Sequence, residues 1–192
     1  MMQTPPSGAA HDAPSVVSAG SSTATDAARV LAERVAALET AFVAIARQRM
    51  AGVALMHPHV QVQATPFVAL DAQAAVGILI TPWFMNLLRL PLTRLDHCHV
   101  GSKATHRVGD YAVEFTSAFE PAIGGFESCS VYSPLTMFAD HAAVWATAQA
   151  LMRTLLSSGA DDSQATLSRR AVLFGRGPRE HRDPTSGRGK VR

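Results

Sequence analysis

The chain has 192 residues, a net charge of +2 and 47% hydrophobic residues, which suits one globular domain large enough to bury a core. No run approaches the roughly 20 apolar residues that a membrane helix needs, and the first 25 residues contain no basic residue, so we predict a cytoplasmic protein without membrane insertion or a secretory signal. Two cysteines, Cys98 and Cys129, are too few for a disulfide framework and neither belongs to a CxxC pair.

Residues 1–25 are rich in Pro, Ser, Ala and Gly, a composition that predicts a disordered N-terminal extension. From Asp26 the composition changes, and apolar residues recur at the helical spacing of three and four: Leu31, Val35, Leu38, Phe42 and Ile45. This spacing predicts a long amphipathic helix that ends near Met50–Gly52.

Alternating apolar and polar residues predict a half-exposed strand at Val60–Ala64, which Phe67–Leu70 extend beyond Pro66. Asp71–Gln73 then supplies a turn into the apolar, β-branched run Val76–Ile80. These segments predict a β-hairpin.

The segment after Ile80 carries the densest cluster of large apolar side chains in the chain. Thr81 suits a helix cap and Pro82 the first helical position, so we predict a short helix beginning at Pro82. The apolar residues that follow are Trp83, Phe84, Met85, Leu87, Leu88 and Leu90. They form either part of the core or a surface for a partner, and the sequence leaves both interpretations open.

The alternation of apolar and polar residues is less clear in the remainder of the domain. Residues 91–109 show no period and predict a loop, whereas Tyr111–Thr116 and Phe126–Tyr132 predict a third and a fourth strand. Phe138–Ser157 has an apolar face and predicts a second long helix. The expected fold class is α+β, with a mainly antiparallel sheet of about four strands packed with two long helices over residues 26–176.

Basic residues are concentrated at the C-terminus. Residues 168–192 hold eight Lys and Arg against Glu180 and Asp183, a charge of +6, while residues 1–167 carry −4. An acidic body argues against nucleic-acid binding, and the Gly- and Pro-punctuated residues 177–192 predict a basic disordered tail. Arg169 and Arg170 precede an apolar run and look like a twin-arginine consensus, although a structural role for them is an alternative.

Few residues suggest chemistry. The run His97-Cys98-His99, together with His57 and His59, holds the side chains that zinc, nickel or copper prefer, but it lacks the paired spacings of a structural zinc site. There is no glycine-rich phosphate loop, and the carboxylates are scattered singly. We therefore predict no catalytic residues and no cofactor, with metal binding by those five residues as the alternative.

Five segments, taken in order, resemble one family. They are Ala41–Met50, Leu55–Pro58, Ile80–Asn86 with Leu90-Pro91, Ser128–Leu135 and Arg169–Arg176. Together they are similar to the HybE-type [NiFe]-hydrogenase assembly chaperones, the group that includes HupJ and HoxT. The elements ITPWFMN and SCSxxSPL, in this order, are the most specific part of the resemblance.

The resemblance implies a cytoplasmic, non-enzymatic helper. Such a protein would bind the precursor of the hydrogenase large or small subunit during cofactor insertion and coordinate assembly with twin-arginine export, with a twin-arginine signal peptide as a further partner. The alternative function is a metal-binding or thiol-dependent maturation factor that uses His57, His59, His97, Cys98 and His99. We predict that the partner is bound by Thr81, Pro82, Trp83, Phe84, Met85, Asn86, Tyr132, Ser133, Pro134, Leu135, Arg169 and Arg170.

Overall fold

The computed structural model describes residues 19–157, which form two helices and one sheet. Helix α1 spans Ala19–Gln48 and helix α2 spans His141–Ser157. The strands are β1 (Gln63–Ala64), β2 (Val68–Ala69), β3 (Ala74–Ile80), β4 (Met85–Pro91), β5 (Lys103–Val108), β6 (Tyr111–Glu120) and β7 (Gly124–Tyr132). The α+β class with an antiparallel sheet is confirmed, but the prediction of about four strands is wrong, since seven are present.

All the strand pairs are antiparallel, in the order β1-β3-β4-β7-β6-β5, and β2 also pairs with β3. The register of β3 with β4 sets Ile80 opposite Met85, and the register of β4 with β7 sets Met85 opposite Tyr132. The β3–β4 turn and the end of β7 therefore lie at the same end of the sheet. We call this the hairpin end.

Each helix packs on its own face of the sheet, which makes three layers. On one face, α1 contributes Leu38 and Phe42 to a cluster with Leu79, Leu88, Leu90 and Phe126. On the other face, α2 contributes Val144, Ala148, Met152 and Leu155 to a larger cluster with Ile78, Ile80, Met85, Leu87, Val113 and Phe115. Strand β3 is buried along its whole length because both clusters cover it.

The predicted pairing of residues 60–70 with the Val76–Ile80 strand is confirmed, in the form of two short strands on β3. Between β1 and β2, the buried Thr65 donates its N–H to the Ile78 carbonyl at 2.8 Å and accepts the Ile78 N–H at its hydroxyl at 2.9 Å. The carboxylate of Asp71 closes the next turn by accepting the N–H groups of Gln73 and Ala74.

The predicted short helix at Pro82 is wrong. Residues 81–84 form a tight turn, and the residues from Met85 to Pro91 form β4. Both faces of β4 are covered, so its sequence is a nearly continuous apolar run without the alternation that marks a strand. In the sequence, a strand that is buried on both faces and a buried helix segment both appear as a run of apolar residues.

The loop expected at residues 91–109 contains β5, whose mostly polar residues hide its alternation. The helix bounds also differ from those predicted. Helix α1 begins at Ala19, inside the stretch expected to be disordered, and ends at Gln48, whereas α2 begins at His141 rather than Phe138. Asp140 starts α2 because its carboxylate accepts the Ala143 N–H at 2.9 Å.

Within residues 19–157, no helix is both long and apolar enough to cross a membrane. The predictions for residues 1–18 and for the basic tail, and the predicted roles of Arg169 and Arg170, lie outside the described residues.

Candidate functional site

The β3–β4 turn is closed by Thr81, a fully buried residue. Its N–H donates to the Phe84 carbonyl at 2.8 Å, and its hydroxyl oxygen accepts the Phe84 N–H at 3.0 Å and lies 3.2 Å from the same carbonyl. Threonine hydroxyls form such hydrogen bonds with the backbone both at helix caps and in turns. The Thr81-Pro82 pattern that suits a helix cap is therefore equally compatible with the observed turn.

The aromatic side chains of the turn fold back over α1. The ring of Trp83 stacks on Phe42 with centroids 6.4 Å apart, and Phe84 meets Phe42 edge to face at 5.8 Å. Phe42 also packs edge to face against Phe126 of β7, with the ring centroids 6.3 Å apart. Trp83 and Phe84 are thus anchored on one side and remain partly exposed on the other.

A second segment reaches the turn from the loop after α1. The N–H of His57 donates to the Pro82 carbonyl at 2.8 Å. The His57 ring accepts the His59 N–H at Nδ1 at 3.2 Å, and its Nε2 lies 3.0 Å from the Phe138 carbonyl, to which it donates. His57 therefore joins the loop after α1 to the segment before α2.

A third segment follows β7. The hydroxyl of Ser133 donates to the Trp83 carbonyl at 3.4 Å, and the Tyr132 ring meets Phe138 edge to face at 5.1 Å. The Ser133–Pro134 peptide bond is cis. His141 at the start of α2 contacts the loop before β1 by accepting the Gln61 N–H at 3.3 Å. Three separate stretches of sequence consequently meet at the hairpin end.

These stretches carry apolar side chains that the fold leaves in solvent. Met137 is 71% exposed, Leu55 is 42% exposed and Val53 is 40% exposed. They lie in the two segments that contact the turn; in addition, Trp83 of the turn is partly exposed and Pro134 is exposed. We call these five residues the hairpin-end surface. Exposed apolar groups gathered at one place are typical of a protein-binding surface.

The structure divides the predicted partner-binding residues into two groups. Thr81, Pro82, Met85 and Leu135 are buried and support the turn from inside. Trp83, Phe84, Asn86, Tyr132, Ser133 and Pro134 are partly or fully exposed. The residues predicted from the sequence exclude Val53, Leu55 and Met137, although Leu55 lies in one of the resembling segments. An apolar residue in a loop belongs to no periodic pattern that would show which way it faces.

The residues of the metal alternative are not assembled. His57 contacts Pro82 at the hairpin end, whereas the Cys98 thiol lies 3.3 Å from the Ala118 carbonyl and beside Gly125, at the opposite end of β4 and β7. The length of a seven-residue strand, about 20 Å, separates the two ends. Within the described part of the chain, no three His, Cys, Asp or Glu side chains are placed to hold one metal ion.

The ionic contacts made by the strands and their turns lie away from the hairpin-end surface. Arg89 pairs with Glu127 at 2.7 Å, and Glu127 also meets His106 at 3.1 Å. At the end of the sheet opposite the hairpin end, Arg34 donates to the carbonyls of Ile123 and Pro91. Burial lowers the pKa of Arg34, and the nearby charge of Arg94 lowers it further. None of these charged side chains belongs to the β3–β4 turn.

The comparison with protein families agrees with the resemblance found in the sequence. Residues 33–175 match the model of the [NiFe]-hydrogenase assembly chaperone HybE family, which is well over half of the chain. The chain belongs to the HybE family. The resemblance to HybE-type chaperones is confirmed.

Named relatives of this chain support this assignment. The chain is 37% identical over 160 residues to protein HoxT of Cupriavidus necator, covering 75% of this chain and 89% of HoxT. It is 34% identical over 126 residues to the hydrogenase expression/formation protein HupJ of Bradyrhizobium diazoefficiens, covering 66% and 72%. The solution structure of HybE from Escherichia coli matches with a TM-score of 0.53 at 21% identity, covering 80% of this chain and 91% of that one, and shows the shared fold.

Proposed function

We propose that this member of the HybE family is a cytoplasmic assembly chaperone that binds [NiFe]-hydrogenase subunit precursors at the hairpin-end surface. The observation that carries the proposal is the meeting of three resembling segments, Leu55–Pro58, Ile80–Asn86 and Ser128–Leu135, at that one end of the sheet. Family membership supports the proposed class of client, and the meeting of these segments supports the proposed binding place.

The properties of the surface suit transient binding. A chaperone must hold a client during cofactor insertion and then release it, so a small interface with a few apolar anchors fits better than a large one. Trp83 and Phe84 rest on Phe42 before any partner arrives, which reduces the ordering cost that binding would otherwise carry. Met137, Leu55 and Val53 add exposed apolar side chains in the segments that contact the turn.

The proposal includes coordination of assembly with export. A precursor that is held at the hairpin-end surface would be withheld from the twin-arginine machinery until assembly is complete. Support for this part comes from the family resemblance and from Arg169 and Arg170, whose spacing before an apolar run imitates a twin-arginine signal. Competition between the chain and a synthetic twin-arginine signal peptide for the export receptor would test it.

Replacing Met137 by Asp tests the binding surface. Met137 is 71% exposed, so the fold should tolerate a carboxylate there, while an apolar interface would have to bury a charge. We expect the M137D and L55D variants to recover at least about tenfold less hydrogenase precursor in co-purification from cells.

The matched control is Val100→Asp. Val100 is 69% exposed and lies in the loop that packs near Gly125, at the end of the sheet opposite the hairpin end. It should recover the precursor as the native chain does. Undiminished recovery by M137D and L55D, with native thermal unfolding, would contradict the proposed site. Recovery of no hydrogenase subunit by the native chain would contradict the proposed function.

A further inference from the structure

Strand β5 forms one edge of the sheet. Within residues 19–157 it pairs with β6 alone, through six residue pairs from Lys103 opposite Thr116 to Val108 opposite Tyr111. In an edge strand, alternate residues direct their backbone N–H and C=O groups away from the neighbouring strand. The other edge of the sheet is different, since it consists of the two-residue strands β1 and β2.

The two faces of β5 have different chemistry. Ala104, His106 and Val108 pair with Phe115, Val113 and Tyr111, which pack in or against the α2-side cluster. Lys103, Thr105 and Arg107 lie on the opposite face and are exposed. A strand added beside β5 would therefore place alternate side chains next to the partly buried Ala104 and His106 on one face and next to a basic strip, Lys103 and Arg107, on the other.

The charged side chains of β5 differ in whether they form an ion pair. Lys103 pairs with Glu114 at 2.8 Å, and His106 contacts Glu127 at 3.1 Å on the other face. No carboxylate of the described residues lies within ion-pair distance of Arg107, whose side chain is exposed. The basic strip thus offers a cation at one end of the strand that a partner's carboxylate can pair.

We propose that β5 binds an extended segment of a partner protein in which acidic and apolar residues alternate. The segment adds to the sheet as a further antiparallel strand, its backbone bonds with the outer edge of β5, and its carboxylates face Lys103 and Arg107. Its apolar side chains lie beside the partly buried Ala104, since Val108 is already fully buried. This surface is distinct from the hairpin-end surface, so the inference stands whether or not the proposed function does.

Charge disfavours two other occupants of this edge. Full overlap of two copies of this chain, centred on Thr105, would set Lys103 opposite Arg107 of the second copy, and like charges directly opposite are destabilising. The apolar run Ala171–Phe174 of this chain follows Arg169 and Arg170, which would bring further positive charge to the same strip. An acidic, apolar strand matches the edge better than either.

Hydrogen exchange on the full chain tests the proposal with two synthetic nine-residue peptides. In one, Glu and Val alternate, and in the other, Lys and Val alternate. At a free concentration ten times its Kd, the Glu/Val peptide should slow exchange of the outward amides of β5 by about tenfold. The Lys/Val peptide at the same concentration should leave them unchanged.

Two variants define the site. Arg107→Glu should abolish the protection by the Glu/Val peptide and allow protection by the Lys/Val peptide, with unchanged thermal unfolding because Arg107 is exposed. The control Arg153→Glu, an exposed change on α2, should behave as the native chain. Protection by neither peptide, or equal protection by both, would overturn the proposal. So would slow exchange of all β5 amides in the free chain, since the chain's own residues would then occupy the edge.

Discussion

Gly77 lies at the centre of β3, where the ring of Phe67 occupies the space that a β-carbon would need. Phe67 belongs to the segment between β1 and β2, so this contact fastens the short edge strands onto the sheet. The sequence shows a glycine in an apolar run, but it does not show which side chain requires it.

Replacing Gly77 by Ala should destabilise the fold by about 1–3 kcal/mol, because the ring and the strand must move apart. Urea unfolding measures the change. In the Phe67→Ala background the ring is absent, so the same substitution should cost much less. An equal cost in both backgrounds would show that Phe67 is not the cause.

The carboxylate of Asp71 stabilises a backbone turn. It accepts the N–H groups of Gln73 and Ala74 at 2.7 and 2.8 Å, and these bonds, with smaller help from Arg89 and His106, lower its pKa below the usual range. Because the pKa is lower in the folded chain than in the unfolded one, this carboxylate stabilises the fold above the unfolded pKa. The contribution disappears as the pH falls through the folded pKa.

We therefore expect part of the loss of stability below about pH 4 to come from Asp71. The Asp71→Asn variant retains an oxygen that can accept both N–H groups but has no charge to titrate. The difference in the free energy of unfolding between the native chain and D71N should shrink as the pH falls from 6 to 3. A difference that is constant over this range would show that Asp71 does not contribute.

At the scale of elements, the β3–β4 hairpin shows both what sequence can predict and where it fails. The Thr81-Pro82 pattern predicts that the chain changes direction there, and the structure has a turn at residues 81–84. Proline at the second position of a turn and at the first position of a helix has the same backbone angle, so the signal does not separate the two. Only the pairing of β4 with β3 and β7 decides for a strand.

Replacing Thr81 by Val should destabilise the hairpin by about 1–3 kcal/mol, since the Phe84 N–H would lose a buried hydrogen-bond partner while the shape of the side chain is retained. Thr81→Ser retains the hydroxyl and should cost less. Urea unfolding of the two variants compares them. A Ser variant as unstable as the Val variant would mean that the methyl group, not the hydroxyl, holds the turn.

For the molecule as a whole, the sequence predicts the antiparallel α+β class and those helices and strands whose apolar residues recur at a regular spacing. Helix α2 and strands β6 and β7 lie close to where their patterns place them. Strand β5 was missed because Ala104 and His106, which face the interior, are small or polar. Strand β4 was missed because both of its faces are covered.

The candidate site was only partly predictable, because it is assembled from three distant stretches. The sequence predicts that the Trp83 turn and the Tyr132–Leu135 segment bind the partner, but which of their side chains reach solvent depends on the packing of α1 and α2. Met85 and Leu135 are buried by that packing, and Met137 and Leu55 are left outside. No spacing rule within one segment could supply this information.

The turn at the hairpin end joins β3 and β4, which are enclosed by a helical layer on each side. Its shape is therefore set by the interior of the protein and has little freedom to follow a partner. Under the proposed function, an unfinished subunit would adapt to the chaperone rather than the reverse. Release would then follow from the subunit's own folding, once its apolar residues find places inside it.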